Sequence, residues 1–258
     1  MELGLAERVV LVTGASRGIG RATALAFARE RTKLVVCARR ASELERTAEE
    51  LQAAGAVAVR SLAVDVTSAA SAAALTGAAA ELGGLDVLVS SVGGNRRKRF
   101  EETTDADWQE LLELNLVSGL RLARASLPQL RARRRGSIVF ISSIWGRETG
   151  GPGYTLYNAS KSALISAARV LAREVAAEGV RVNSIAPGSI LAPGGSWAAR
   201  VAREPEAMAE FVRRELPLGR FGTAAEVAAL AVFLASDQAS LITGACITAD
   251  GGQSHSLI

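Results

Sequence analysis

The sequence predicts an α/β fold: a single-domain, doubly wound parallel sheet of about seven strands with helices on both faces. Short β-branched apolar runs alternate with alanine-rich helical stretches along the whole chain. Those runs are apolar at nearly every position, as in strands buried on both faces. No Pro/Gly-rich linker, internal repeat or low-complexity tract divides residues 1–258, so one domain is expected.

The first strand is expected at 8–12, then a glycine-rich turn and a helix over 18–30. Leu34–Ala38 is the second strand, and Ser42 with Glu45 has capping-box spacing for a helix over 42–54. Strands at 57–64 and 86–89 flank a helix over 68–82, and a long helix over 105–130 leads to a strand at 137–141. A helix over 156–178, a strand at 181–185, a helix over 224–235 begun by Thr223 and Glu226, and a strand at 245–248 complete the series. Pro187–Leu218 breaks this rhythm. Pro193, Gly194 and Gly195 interrupt it, and Trp197 to Arg214 then reads as helical. Residues 189–215 follow the sixth strand at the carboxyl edge of the sheet, where a substrate lid belongs; an ordinary long connection is the other reading.

Hydrophobic residues at 49% against 22% charged describe a globular core-forming chain. The net charge of +4 includes two basic runs, Arg96–Arg99 and Arg131–Arg135, but no helix-turn-helix, zinc or RNA-stacking pattern accompanies them. They read as solvated arginines, and no nucleic-acid partner is expected. Cys37 and Cys246 lie in apolar runs without metal-ligand spacing, which fits a reducing compartment and no metal. No apolar signal core opens the chain and no stretch approaches a membrane span, so a soluble cytoplasmic protein is expected.

Thr13-Gly14-Ala15-Ser16-Arg17-Gly18-Ile19-Gly20 joins the first strand to the first helix with Gly-x-x-x-Gly-x-Gly spacing. Glycines permit a tight turn and close backbone approach, and a helix amino end offers N–H groups to a pyrophosphate. Three glycines so spaced arise by chance about 0.2 times, so the strand–helix junction carries the reading. Gly14, Ser16, Arg17, Gly18, Ile19 and Gly20 are therefore candidate dinucleotide contacts in a Rossmann-like fold. The second strand ends Cys37-Ala38-Arg39-Arg40, with Ala38 where an acidic residue would hold a ribose diol. Arg39, Arg40 and Arg17 read instead as a clamp on a 2′-phosphate, which selects NADP(H).

Tyr157 and Lys161 stand four apart at the start of a helix, hence on one face. With two tyrosines and three lysines in the chain, such a pair is expected by chance about 0.02 times. A free phenol titrates too high for proton exchange at neutral pH, and a nearby ammonium stabilises the phenolate. Tyr157 can then protonate a developing alkoxide or deprotonate an alcohol. Ser142 and Ser143 end the fifth strand, and Ser143 is the better candidate for polarising the carbonyl.

These motifs together resemble the short-chain dehydrogenase/reductase family over essentially the whole chain, with Asp65-Val66, Asn115, Pro187-Gly188 and the closing Asp250-Gly251-Gly252 adding to the match. The resemblance implies catalysis by Asn115, Ser143, Tyr157 and Lys161, with Asn115 holding a water that links Lys161 to solvent. It places Asp65 and Val66 beside the adenine, and Gly93, Pro187, Gly188 and Ile190 along the cofactor, with Ile190 giving backbone groups to the nicotinamide carboxamide. It also implies a homotetramer packed through the helices around 105–130 and 156–178. Three departures stand out. Ser90-Ser91-Val92-Gly93 replaces Asn-Asn-Ala-Gly, Ala192 replaces a threonine, and Ser143 and Tyr157 are one residue further apart than usual.

The substrate is expected to be a small carbonyl or alcohol, in a pocket built from 93–100, 144–155 and the 189–215 segment. Trp145 and Trp197 are candidate walls, with plain core packing as the alternative for each. The overall pattern resembles 3-oxoacyl-acyl-carrier-protein reductases of fatty acid biosynthesis, which implies an acyl thioester on an acidic carrier protein docked on basic residues such as Arg134. Glu178 stands where such a docking surface would be basic. The rivals are a sugar, polyol or other secondary-alcohol dehydrogenase, a general carbonyl reductase and, from another class, a non-catalytic NADP-binding regulator.

Overall fold

The computed structural model describes residues 2–257. The first half alternates β1 (Val9–Thr13), α1 (Gly18–Arg29), β2 (Lys33–Ala38), α2 (Ala41–Ala53), β3 (Ala58–Ala63), α3 (Ser71–Glu81) and β4 (Val87–Ser90). Then follow α4 (Asp105–Leu112), α5 (Ser118–Arg133), β5 (Gly136–Ile141), α6 (Thr155–Val175) and β6 (Val180–Pro187). The chain continues through β7 (Ile190–Leu191), α7 (Ser196–Arg203), α8 (Pro205–Glu215), β8 (Gly222–Thr223), α9 (Ala224–Ala235) and β9 (Cys246–Ala249). Seven strands form one parallel sheet in the order β3-β2-β1-β4-β5-β6-β9, while β7 and β8 pair separately. The order reverses between β1 and β4, and a ligand crevice belongs at that switch point.

Alternation along each strand divides the core between the two faces. Val10 and Val12 turn toward Phe27 of α1, Leu44 of α2 and Val227 of α9. Val9 and Leu11 turn toward Leu75 of α3, Leu122 of α5 and Leu164 of α6. Each fully buried large side chain contributes about 1.5–3 kcal/mol, so the sheet that carries the site is anchored on both sides.

The helix boundaries correct several expectations. Ser42 does not cap α2: the chain passes directly from β2 into the helix, Arg40 is the extended N-cap residue, and Ser42 lies inside the first turn. At α3, Asp65 accepts hydrogen bonds from the Thr67 N–H and hydroxyl, and the turn they close delays the helix to Ser71. The helix expected over 105–130 divides at a π-turn, Glu113–Val117, where the Ser118 N–H reaches back to the Glu113 carbonyl. Trp197–Arg214 is two helices, because Pro205 cannot continue α7 and instead starts α8. Thr223 and Glu226 form the expected capping box at α9, and Thr104 with Asp107 forms another at α4. Arg96 and Lys98 both pair with that same Asp107, at 2.5 and 2.6 Å, tying the loop after β4 to α4.

Candidate active site

A cleft of about 400 Å³ opens at the carboxyl ends of the strands around the switch point. Gly14, Ser16, Arg17, Gly18, Ile19 and Gly20 all line it. Gly14 and Gly18 have φ of +69° and +58°, and a Cβ on Gly20 would lie 2.3 Å from the Gly14 carbonyl oxygen. Only glycine lets the turn close this tightly against α1. No side chain caps the amino end of α1, so its first N–H groups face the cleft for an anion.

At the far end of the cleft lie Ala38, Arg39, Asp65 and Val66. Arg40 does not line it: its guanidinium pairs with Glu43 at 2.9 Å and borders an adjoining groove with Arg17, Arg21 and Arg46. Arg17 and Arg39 therefore remain as the cations in the cleft itself, and this donor set fits a phosphorylated dinucleotide.

Ser143, Tyr157 and Lys161 converge where β5 ends against α6. The Ser143 hydroxyl hydrogen-bonds the Tyr157 phenol and accepts from the Trp145 N–H. Ser142, the alternative to Ser143, donates instead to the Lys161 carbonyl at 3.1 Å. The Lys161 amine is fully buried, donates to the Ile141 carbonyl at 3.0 Å and lies 5.9 Å from the Tyr157 ring centroid. Gly93 lines the cleft so close to that amine that a Cβ there would stand 3.1 Å from Nζ. The Asn115 amide is committed: it accepts from Gly94 N–H at 2.8 Å and donates to the Gly94 carbonyl and the Ser160 hydroxyl. Its side chain thus braces the loop after β4 against α6.

The electrostatics depart from the sequence expectation. Burial raises the Tyr157 phenol above its ordinary value, partly opposed by Ser143, and burial lowers Lys161 to about 8. The Lys161 amine is itself desolvated and turned to the Ile141 carbonyl.

Tyr157 and Ser143 face a second cavity of about 190 Å³, which shares Ser196 with the cleft. Trp145 and Trp197 both line it. Each also packs: Trp145 lies 4.3 Å from the Tyr154 ring, and Trp197 stacks on Phe211 at 4.9 Å. Asn95 and Arg200 in this wall fall within the segments expected to build the pocket but were not singled out, and Gln253 lies outside those segments. Arg200 is one of many surface-type arginines, and Gln253 lies just past the recognised closing motif, so neither carried a local signal.

Gly188 lines the second cavity and Ile190 the cleft, whereas Pro187 is buried within β6. Ala192 puts a methyl group in the cleft wall where a hydroxyl was expected. After β4 the Ser91 N–H donates to the Thr13 hydroxyl at 3.0 Å, tying this segment to the end of β1. Arg134 and Glu178 both lie at the opposite, amino edge of the sheet, beside the starts of β5 and β6. The six residues of β5 separate Arg134 from Ser143 by roughly 20 Å along the strand. Among the described residues no helix is long and apolar enough to cross a membrane.

A nucleotide-type cleft beside a Ser–Tyr–Lys cluster on this topology defines a dinucleotide-linked oxidoreductase. The family described as enoyl-(acyl carrier protein) reductase matches residues 14–254. The chain belongs to this branch of the short-chain dehydrogenase/reductase family, and it is an oxidoreductase. It is 39% identical to the 3-oxoacyl-[acyl-carrier-protein] reductase of Pseudomonas aeruginosa, with 97% of this chain and 98% of that protein covered. L-Sorbose reductase from Gluconobacter frateurii, solved with NADPH and L-sorbose, is 32% identical, with all of both chains covered and a TM-score of 0.94. A 3-oxoacyl (acyl-carrier-protein) reductase from Agrobacterium tumefaciens, solved with NADP bound, is 31% identical over 97% of this chain and 96% of that one, with a TM-score of 0.90.

Proposed function

We propose that this protein is an NADP(H)-dependent reductase of small polar ketones, working reversibly on the corresponding secondary alcohols. The cofactor is NADP(H), in keeping with the nucleotides bound by the two solved relatives. The glycine turn and the α1 amino end hold its pyrophosphate, Arg17 and Arg39 hold its 2′-phosphate, and Asp65 and Val66 border its adenine. Arg40 reinforces the phosphate end from the adjoining groove. Ile190 offers backbone groups to the carboxamide, with Gly93, Pro187 and Gly188 shaping the approach. When bound, NADPH supplies a hydride to the carbonyl carbon. Ser143 donates a hydrogen bond to the carbonyl oxygen, and Tyr157 delivers the proton that turns the alkoxide into an alcohol. Lys161, whose amine lies 5.9 Å from the phenol ring centroid, passes a proton toward it, and Asn115 keeps the Gly94 loop and α6 in register around both.

The observation that carries the substrate class is the second cavity: small, and lined by Asn95, Gln253, Arg200 and serines beside the catalytic hydroxyls. A 3-oxoacyl thioester on a carrier protein is the second reading, favoured by the 39% identical relative. The pairing of Glu178 with Arg131 and the remoteness of Arg134 count against a carrier docked there. Residues 189–215 act as the substrate lid of this single domain. Copies associate as a homotetramer through α5 and α6, where Val117, Leu120, Leu127 and Leu171 form an apolar groove.

NADPH oxidation with hydroxyketones, keto-sugars, oxo acids, simple ketones and an acetoacetyl thioester tests the assignment. Polar ketones should outpace the thioester, and the reverse order would transfer the assignment to the second reading. Tyr157→Phe should lose turnover by several orders of magnitude while NADPH still binds. Turnover surviving in that variant would remove Tyr157 from the chemistry.

A further inference from the structure

We propose that the ketone reduced here carries a carboxylate, held by Arg200 and the side-chain amide of Gln253. This rests on the reductase reading above and narrows its substrate to a short oxo acid. Arg200 projects from α7 into the same cavity as Ser143 and Tyr157. Its guanidinium lies 5.0 Å from the Trp197 ring centroid, a stacking that orients the group while leaving its N–H edge free. Among the described residues the Arg200 side chain makes no hydrogen bond or salt bridge; it acts on Glu204 only through charge at a distance, while Arg203 pairs with that carboxylate at 2.8 Å.

Gln253 adds a second, independently fixed donor. Its Oε1 accepts the Ser189 N–H at 2.7 Å, which leaves the Nε2 amide hydrogens for the cavity it lines. The segment that carries it is held in place. Asp250 accepts the Ser254 N–H, and the Glu148 carboxylate accepts the N–H groups of His255 and Ser256 at 2.8 and 3.1 Å. Among the described residues no aspartate or glutamate lines the cavity, and Glu204, the carboxylate that feels the Arg200 charge, is itself paired with Arg203. An unpaired guanidinium beside a directed amide, in about 190 Å³, is donor chemistry matched to a planar carboxylate.

Acetoacetate and 4-oxopentanoate should be compared with their methyl esters as substrates with NADPH. The readout is the acid-to-ester ratio of kcat/KM, in which any general loss of activity cancels. The wild type should favour an acid by about tenfold or more, as expected for hydrogen bonds to a charged group. Arg200→Met should bring that ratio close to one, and Arg200→Lys should recover part of it. A wild-type ratio at or below one for both pairs, or a ratio unchanged by Arg200→Met, overturns the proposal. A stronger preference for dihydroxyacetone phosphate over dihydroxyacetone than for either acid over its ester overturns the carboxylate assignment in favour of a phosphate. Esters reduced without acid preference defeat this inference alone, whereas no ketone reduced at all defeats the reductase reading with it.

Discussion

Lys161 is where chemistry and stability oppose each other most directly. Its amine is fully buried with one carbonyl partner, and burial brings its pKa down to about 8 from an ordinary 10.5. Between those values the unfolded chain binds more protons than the folded one, so on this account stability rises with pH from about 8 to 10.5. Below 8 the penalty is fully present. Lys161→Met should therefore stabilise the fold at pH 7 by about 2 kcal/mol, a gain that shrinks by pH 10, while reductase activity is lost. Denaturant midpoints at the two pH values check the sign, and a variant less stable at pH 7 would contradict it. The same lysine should set the alkaline limb of ketone reduction in the wild type, with kcat/KM falling as pH passes about 8. A profile flat to pH 10 would detach Lys161 from the proton path. Ser143 was legible as the better candidate of two strand-end hydroxyls; only the structure shows their directions, Ser142 toward the Lys161 carbonyl and Ser143 toward the Tyr157 phenol.

The α7–α8 hairpin is the least anchored element over the site. Its α7 has no fully buried residue, α8 buries only Met208, and the pair rests on the stack of Trp197 with Phe211 and Phe221. Such an element belongs to the low-stability end of a fold, where ligand-gated segments are found. Its residues line both cavities, and Arg17 touches the Gly194 carbonyl beside it at 3.5 Å. Binding of NADPH and a ketone should slow proteolytic cleavage within residues 192–204, and Trp197→Ala should speed cleavage and raise KM. Cleavage rates indifferent to both ligands would leave 189–215 an ordinary connection. Periodicity made this stretch legible as helical, yet its break at Pro205 and its position over two cavities needed the folded chain.

At the scale of the molecule, the sheet separates two edges with different tasks. Every residue argued into the chemistry lies at the carboxyl edge, while the densest arginine run lies at the amino edge in structural contacts. Arg131 pairs with Glu178, and Arg133 binds the Gly83 and Gly84 carbonyls. The outer face of α5 and α6 keeps a groove in which Val117, Leu120, Leu127 and Leu171 are rimmed by Arg121, Arg124 and Glu174, with Val117 39% exposed. If copies pack there, Leu171→Asp should lower the mass measured by light scattering to that of smaller species, with the secondary structure unchanged. A mass equal to the wild type's would place the assembly interface elsewhere.

Local chemistry was sufficient for the sheet, the glycine turn, the absence of an acid at residue 38 and the Tyr157–Lys161 pair. Strand periodicity, turn geometry and i,i+4 spacing are short-range properties that a linear sequence records. The lysine's depressed pKa, the commitment of Asn115 to Gly94 and Ser160, and the convergence of Arg200 from α7 and Gln253 from beyond β9 on one cavity were not recorded there. Desolvation and side-chain direction depend on what the rest of the chain packs against a group, and only the tertiary structure decides that.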